Sequence, residues 1–264
     1  MKITVLAENT SVCENIGAEH GLSLFIETKD TKLLFDMGQT DLFAENAAKL
    51  GADLSAVGFA VLSHGHYDHG GGLWTFLSLN KTASVFLSPY AFEPHYNALG
   101  KDIGLDKRAA DGDRFVFCEG VTEIAPGITL FGGKCGSPLD TPGAKGMKTE
   151  GEKGLVPDDF RHEQYLLIEE DGRKFLFSGC SHRGASEIAT YFSPDVFIGG
   201  FHFSKTDPET AEGKAFFRRE AEALLGACGK YYTCHCTGKT QFEVLKKYMG
   251  GRLVCISSGE TIEI

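Results

Sequence analysis

No apolar run in this 264-residue sequence outlasts a single strand, so nothing in it is long enough to span a membrane. The start, Met1-Lys2-Ile3-Thr4-Val5-Leu6, enters strand-like alternation at once. It lacks the long apolar region and cleavage site of a signal peptide, and cytoplasmic residence is expected. An excess of basic charge is also missing: the net charge is −10, which argues against nucleic-acid partners. There is no internal repeat, low-complexity tract or linker that would split the chain, so one domain over residues 1–264 is expected. A chain of this length has little need of disulfide staples, and the eight cysteines read as free thiols. With 42% hydrophobic residues there is ample material for a core.

What the chain does have is concentrated in Leu62-Ser63-His64-Gly65-His66-Tyr67-Asp68-His69-Gly70. Three histidines and an aspartate follow the apolar run Val57–Leu62, which reads as a buried strand aiming a loop. His64 and His66 are two apart and project together, so both can chelate one ion; Asp68 and His69 can hold another. Imidazole and carboxylate donors suit zinc, manganese or iron better than calcium or magnesium. The bland alternative is a His-rich surface loop, which this order and spacing disfavour.

Strands and helices alternate along the chain. Strands are predicted at Lys2–Leu6, Leu22–Glu27, Lys32–Asp36, Ser84–Leu87, Gln164–Ile168, Lys174–Ser178, Asp195–Ile198, Lys230–Cys234 and Leu253–Ile256. Helices are predicted at Asp41–Leu50, Leu73–Leu79, Glu209–Leu225 and Thr240–Met249. Asp106–Thr129 reads as hairpin-like, with turn signals at Asp111-Gly112-Asp113 and Pro126-Gly127. Residues 132–160 carry many glycines and prolines and read as a long irregular insertion, of the kind that forms a mobile lid.

The His-x-His-x-Asp-His loop resembles the signature of the metallo-β-lactamase superfamily. That resemblance implies an α/β fold, a four-layer αβ/βα sandwich with a dinuclear site along one edge of the paired sheets. It also implies roles for further residues. His235, in Tyr232-Thr233-Cys234-His235-Cys236, matches the last metal-binding histidine. Cys180, in Ser178-Gly179-Cys180-Ser181-His182, stands where the superfamily carries an aspartate. As a thiolate it would bind zinc well and oxidise readily, or it is a buried inert thiol. His182 lies in a glycine-flanked turn and is expected as a ligand on that ground, whereas the superfamily's usual third histidine falls near Arg161-His162-Glu163-Gln164, which makes His162 or Glu163 a competitor. Asp36 resembles an aspartate that supports the loop without touching metal. Cys234 and Cys236 alternate in face with His235 along a strand and read as packing or as support behind the ligands.

Glu19-His20-Gly21, Gly179-Cys180-Ser181-His182-Arg183-Gly184, Gly199-Gly200-Phe201-His202 and His235-Cys236-Thr237-Gly238 resemble one branch of that superfamily. It is the group named after 7,8-dihydropterin-6-methyl-4-(β-D-ribofuranosyl)aminobenzene-5′-phosphate synthase, many of whose members are described as metal-dependent hydrolases. The resemblance implies two divalent ions, with zinc expected and manganese or iron as alternatives. It implies a small-molecule substrate, phosphorylated or pterin-like. Asp68 and His202 are the expected catalytic residues, and Asn9, His20, Arg183 and His202 the expected substrate contacts. The reaction expected is metal-dependent hydrolysis of a phosphoryl or ester-type group. The alternatives are a synthase that displaces diphosphate and a non-catalytic metabolite sensor on the same scaffold.

Overall fold

The computed structural model describes residues 1–107, 112–133 and 141–264. Two seven-stranded sheets face each other. The first runs in the order Thr261–Glu263, Lys2–Ala7, Ser23–Glu27, Lys32–Phe35, Phe59–Val61, Ser84–Leu87 and Phe115–Phe117. The second runs Leu253–Cys255, Lys230–Thr233, Val196–Gly199, Arg173–Ser178, Gln164–Glu170, Ile128–Gly132 and Val121–Ala125. Each sheet is antiparallel on one side and parallel on the other.

The layering follows from the two-residue period of the strands. Ile3, Val5, Leu24, Ile26, Leu33 and Phe35 point inward to meet Leu166, Ile168, Phe175, Phe177, Val196 and Ile198 from the opposite sheet. The alternate residues Leu6, Phe25 and Leu34 point outward, under the helices Leu42–Leu50 and Leu73–Leu79. Tyr165, Leu167, Leu176 and Phe197 do the same on the other side, under Ala185–Phe192, Ala211–Ala227 and Lys239–Met249. The strands are thus apolar on both faces, as a sheet covered on both sides requires. This is the expected αβ/βα sandwich.

Several segments differ from the sequence reading. Asp106–Thr129 is not one hairpin: Phe115–Phe117 joins the first sheet beside Ser84–Leu87, and only 121–132 forms a hairpin, in the second sheet. Asp111, part of the supposed turn, lies outside the described residues. The segment 132–160 is not irregular throughout. Residues 134–140 lie outside the described residues, but Lys148–Gly151 and Gly154–Pro157 pair as a hairpin and take His95–Tyr96 as a third strand. Strands of two to four residues are too short to show the apolar alternation that would betray them. Thr261–Glu263 adds a strand beside Lys2–Ala7, beyond the expected last strand. Seven cysteines are free thiols, and Cys135 lies outside the described residues.

Where the helix Ala185–Phe192 packs on Ala211–Ala227, Glu220 comes beside Ser186 and Glu187. Burial pushes its carboxyl up to about 7; Glu187 adds repulsion, against the lowering effects of the Ser186 hydroxyl and Arg219. Between 4.5 and about 7 the folded chain therefore keeps a proton that the unfolded chain releases, and stability falls as pH rises through that window. Glu220→Gln is expected to raise the melting temperature by a few degrees at pH 8 and to change it little at pH 5, as calorimetry would show.

Candidate metal centre

The candidate residues sit at the carboxyl ends of parallel strands from both sheets, the edge where open α/β sheets place their ligands. Phe59–Val61 leads into the His64–His69 loop, Arg173–Ser178 into Cys180 and His182, Val196–Gly199 into His202, and Lys230–Thr233 into His235. Four non-glycine residues at these strand ends adopt left-handed backbone: Asp36 (φ 59°), Ser181 (φ 53°), His202 (φ 52°) and His235 (φ 52°). Strain of this kind persists only where the surroundings enforce it.

Hydrogen bonds on Nδ1 decide which imidazoles can bind metal. Asp36, fully buried, accepts the Ser63 N–H at 2.7 Å, the Ser63 hydroxyl at 2.7 Å and His69 Nδ1–H at 2.7 Å. Since the only Ser63 hydroxyl proton goes to Asp36, its oxygen receives His64 Nδ1–H at 2.8 Å. His182 Nδ1–H donates to the Gly143 carbonyl and His235 Nδ1–H to Asn9 Oδ1, each at 2.8 Å. All four rings therefore carry a lone pair on Nε2.

The Nε2 atoms of His64, His182 and His235, like those of His66, His95 and His162, are buried and have no hydrogen-bond partner. An unsatisfied buried nitrogen costs about 1–3 kcal/mol, so a fold gathers several of them only where something compensates. One ligand atom each from His64, His66 and His182 lies within 4.8 Å of the other two, and the same holds for His64, His69 and Cys180. Asp68 Oδ2 stands 3.3 Å from His235 Nε2, 3.8 Å from His69 Nε2 and 3.2 Å from His20 Nε2. Neutral nitrogens, a carboxylate and a sulfur around one point fit a divalent transition metal.

The electrostatics point the same way. Burial, reinforced by the neighbouring histidines, holds His64 and His66 well below the usual imidazole range. It also holds His182 and His235 at about 4. Burial alone would raise Asp68, but His69, His20 and His235 hold it well below the usual carboxylate range. Burial, and then the adjacent Cys236, push the Cys180 thiol well up. Its thiolate would depend on a nearby cation.

The competitors for the third histidine separate cleanly. His162 Nδ1 accepts the Gly65 N–H at 2.9 Å, so its proton sits on Nε2, which faces Asp158 Oδ2 at 3.4 Å. A protonated Nε2 is a donor, not a ligand. Glu163 spends its carboxylate on the backbone N–H groups of His182 (2.7 Å) and Arg183 (3.1 Å) and on the Tyr165 hydroxyl (2.7 Å). Both residues position the loop that aims His182. Sequence reasoning missed His95 and Asp158. His95 Nδ1–H donates to Asp158 Oδ2 at 2.8 Å, and the His95 ring lies 3.8 Å from that of His162. Neither residue belongs to a local motif: pairing of His95–Tyr96 with Lys148–Gly151 brings them together.

Above the ligands lies a cleft of about 170 Å³ lined by His20, Asp68, Cys180, His202, Lys205 and His235 among others. His20 and His202 are placed there as expected. Asn9 is not; it holds His235, and through its side-chain nitrogen His20 at 3.3 Å. Arg183, expected at the substrate, is buried and donates to the Asp159 carbonyl at 2.8 Å. It braces the chain around His162. The described part of 132–160 is built into the wall: Gly143 packs on His182 and His202, and Phe160 stacks on His182 at 4.5 Å. A Cβ at Gly143 would lie 3.0 Å from both the His182 Cα and the His202 Cβ.

These assignments predict different fates for two histidine variants. His182→Ala should lower the metal retained per chain on elemental analysis after reconstitution. His162→Ala should retain metal but melt at lower temperature, since Asp158 and the Gly65 N–H lose a buried partner worth about 1–3 kcal/mol. The reverse pattern would exchange their roles.

Comparison with known proteins identifies the fold and the family. A curated protein of Methanocaldococcus jannaschii, 7,8-dihydropterin-6-methyl-4-(beta-D-ribofuranosyl)-aminobenzene-5′-phosphate synthase, is 28% identical over 267 residues, covering 90% of this chain and 88% of its own. The crystal structure of Tm1679, a metal-dependent hydrolase of the beta-lactamase superfamily, superposes with a TM-score of 0.81 at 27% identity over 100% of this chain and 99% of its own. Zn(2+)-bound PqqB from Methylobacterium extorquens shares the fold, with a TM-score of 0.62 at 12% identity over the full length of both chains. The family model of the metallo-beta-lactamase superfamily matches residues 16–223, and the chain belongs to that superfamily.

Proposed function

We propose that this chain is a metal-dependent enzyme that hydrolyses or displaces a phosphoryl or ester-type group on a small metabolite. The observation that carries the reading is the set of overlapping His and Cys groups around Cys180, with the partnerless, buried Nε2 atoms of His64, His66, His182 and His235 among them, beneath a cleft. In this reading His64, His66 and His182 would hold one divalent ion, and Asp68, His69 and His235, with Cys180, would hold a second. Zinc is the expected metal. Ions so held would polarise a substrate oxygen and activate water for attack.

The remaining residues act on the substrate directly. His202 is kept neutral by burial and then by His182 and His235, and its Nδ1 has no partner. It can accept a proton or pass one to a leaving group. Among the described residues lining the cleft Lys205 is the one lysine or arginine, and it suits an anionic substrate. The small cleft and the net charge of −10 both support a metabolite over a nucleic acid. No helix among the described residues is long and apolar enough to cross a membrane; we place the chain in the cytoplasm. The synthase reading, with diphosphate as leaving group, draws support from the relative that covers 90% of this chain.

Turnover of bis(p-nitrophenyl) phosphate, p-nitrophenyl phosphate and a neutral p-nitrophenyl ester by chelated and metal-reloaded protein tests this. Hydrolysis should vanish with the metal and return on reloading. His202→Ala should lower kcat by about 10²–10⁴-fold. Lys205→Ala should raise KM for the anionic substrates and leave the neutral ester unaffected. Tight metabolite binding without turnover would make the protein a sensor. Diphosphate release from a pterin diphosphate with an aminobenzene ribotide would make it a synthase.

A further inference from the structure

Along an extended strand, Cys234 and Cys236 would both turn away from His235. The structure places only Cys234 that way, in the core between the sheets. After Thr233 the chain leaves the strand and winds into a single 3-10 turn, His235–Thr237, with His235 in the left-handed region. That turn brings Cys236 round to the same side as His235, and both line the cleft together with Cys180. One ligand atom from each of Cys180, His235 and Cys236 lies within 4.8 Å of the others, and all three residues are buried.

The position is built for a sulfur. A Cβ on Gly200 would stand 2.4 Å from Cys236 Sγ and 3.0 Å from the Gly179 carbonyl oxygen, so the strand end gives up a side chain there. Thr237 ties the turn down by accepting the Phe201 N–H at 2.9 Å. His235 Nε2, buried in the same group, has no hydrogen-bond partner. Cys236 Sγ makes a long contact of 3.7 Å with the Cys180 carbonyl and meets the Cys180 thiol, and both are weak partners.

We propose that Cys236 is a metal ligand, joining Cys180 and His235 to give one position of the centre two sulfurs and an imidazole. The inference rests on the reading of this site as a metal centre and adds a donor to it. On loading, each thiol gives up its proton to solvent and binds as thiolate. Two thiolates make that position soft, so it favours zinc over manganese and sets it apart from the nitrogen-rich position at His64, His66 and His182.

Cobalt(II) is the probe, because thiolate-to-cobalt charge transfer in the near ultraviolet reports sulfur ligation without any need for turnover. Wild-type protein loaded with cobalt is expected to show this absorption. Cys236→Ser and Cys180→Ser should each remove about half of it, and Cys234→Ser none, if two thiolates bind. An undiminished band in Cys236→Ser overturns the proposal and leaves the metal centre standing. Failure of wild-type protein to take up cobalt overturns both. Should Cys236→Ser not fold, zinc X-ray absorption on the wild type decides. Two sulfur neighbours per chain at about 2.3 Å support the proposal, and a single one overturns it.

Discussion

The site depends on one buried carboxylate. Asp36 ends the strand Lys32–Phe35 and accepts hydrogen bonds from the backbone and hydroxyl of Ser63 at one end of the metal loop and from His69 at the other. Hydrogen bonds to a charged group contribute about 1.5–3 kcal/mol each, and three meet here with no solvent to compete. The clamp fixes where the loop lies and which nitrogen of His69 is free. Through Ser63 it does the same for His64. A side chain that contacts no ligand thus decides the chemistry of two that would.

The same device recurs around the centre. Glu163 holds the backbone at His182 and Arg183, Glu8 accepts the His235 N–H at 2.6 Å, and Asn9 holds the His235 ring. Buried acceptors that take backbone N–H groups stiffen strand-end turns which their own backbone energetics disfavour. His202 and His235 both lie in the left-handed region, and Ser181 precedes His182 there. Ligands aimed this way need little reorganisation when an ion arrives, which is what a preorganised site requires.

The two halves contribute unequally. The first sheet supplies the His64–His69 loop and its Asp36 clamp. The second supplies Cys180, His182, His202 and His235 from three successive parallel strands. Neither half carries a complete ligand set, so packing of the sheets through their shared apolar layer is a condition for the site to exist. The turn at Gly143 closes one wall and links it to His182 and His202.

Much of this was legible in the sequence because it is local. The His64–His69 spacing, the apolar alternation of the strands and the strand–helix rhythm are short-range patterns, and they dictated the αβ/βα layers and the main metal loop. What only tertiary structure decided depends on contacts across the chain. The proton on His162 is set by the Gly65 N–H 97 residues away, and it turns a plausible ligand into a donor. His95 and Asp158 meet only because a two-residue strand pairs with the 148–151 hairpin. Arg183 donates to the Asp159 backbone carbonyl where the resemblance suggested substrate. Cys236 reaches the cleft because one left-handed residue ends the strand a position early. Residue spacing determines which side chains are near each other along the chain. Their direction and protonation come from partners that the fold brings in from elsewhere.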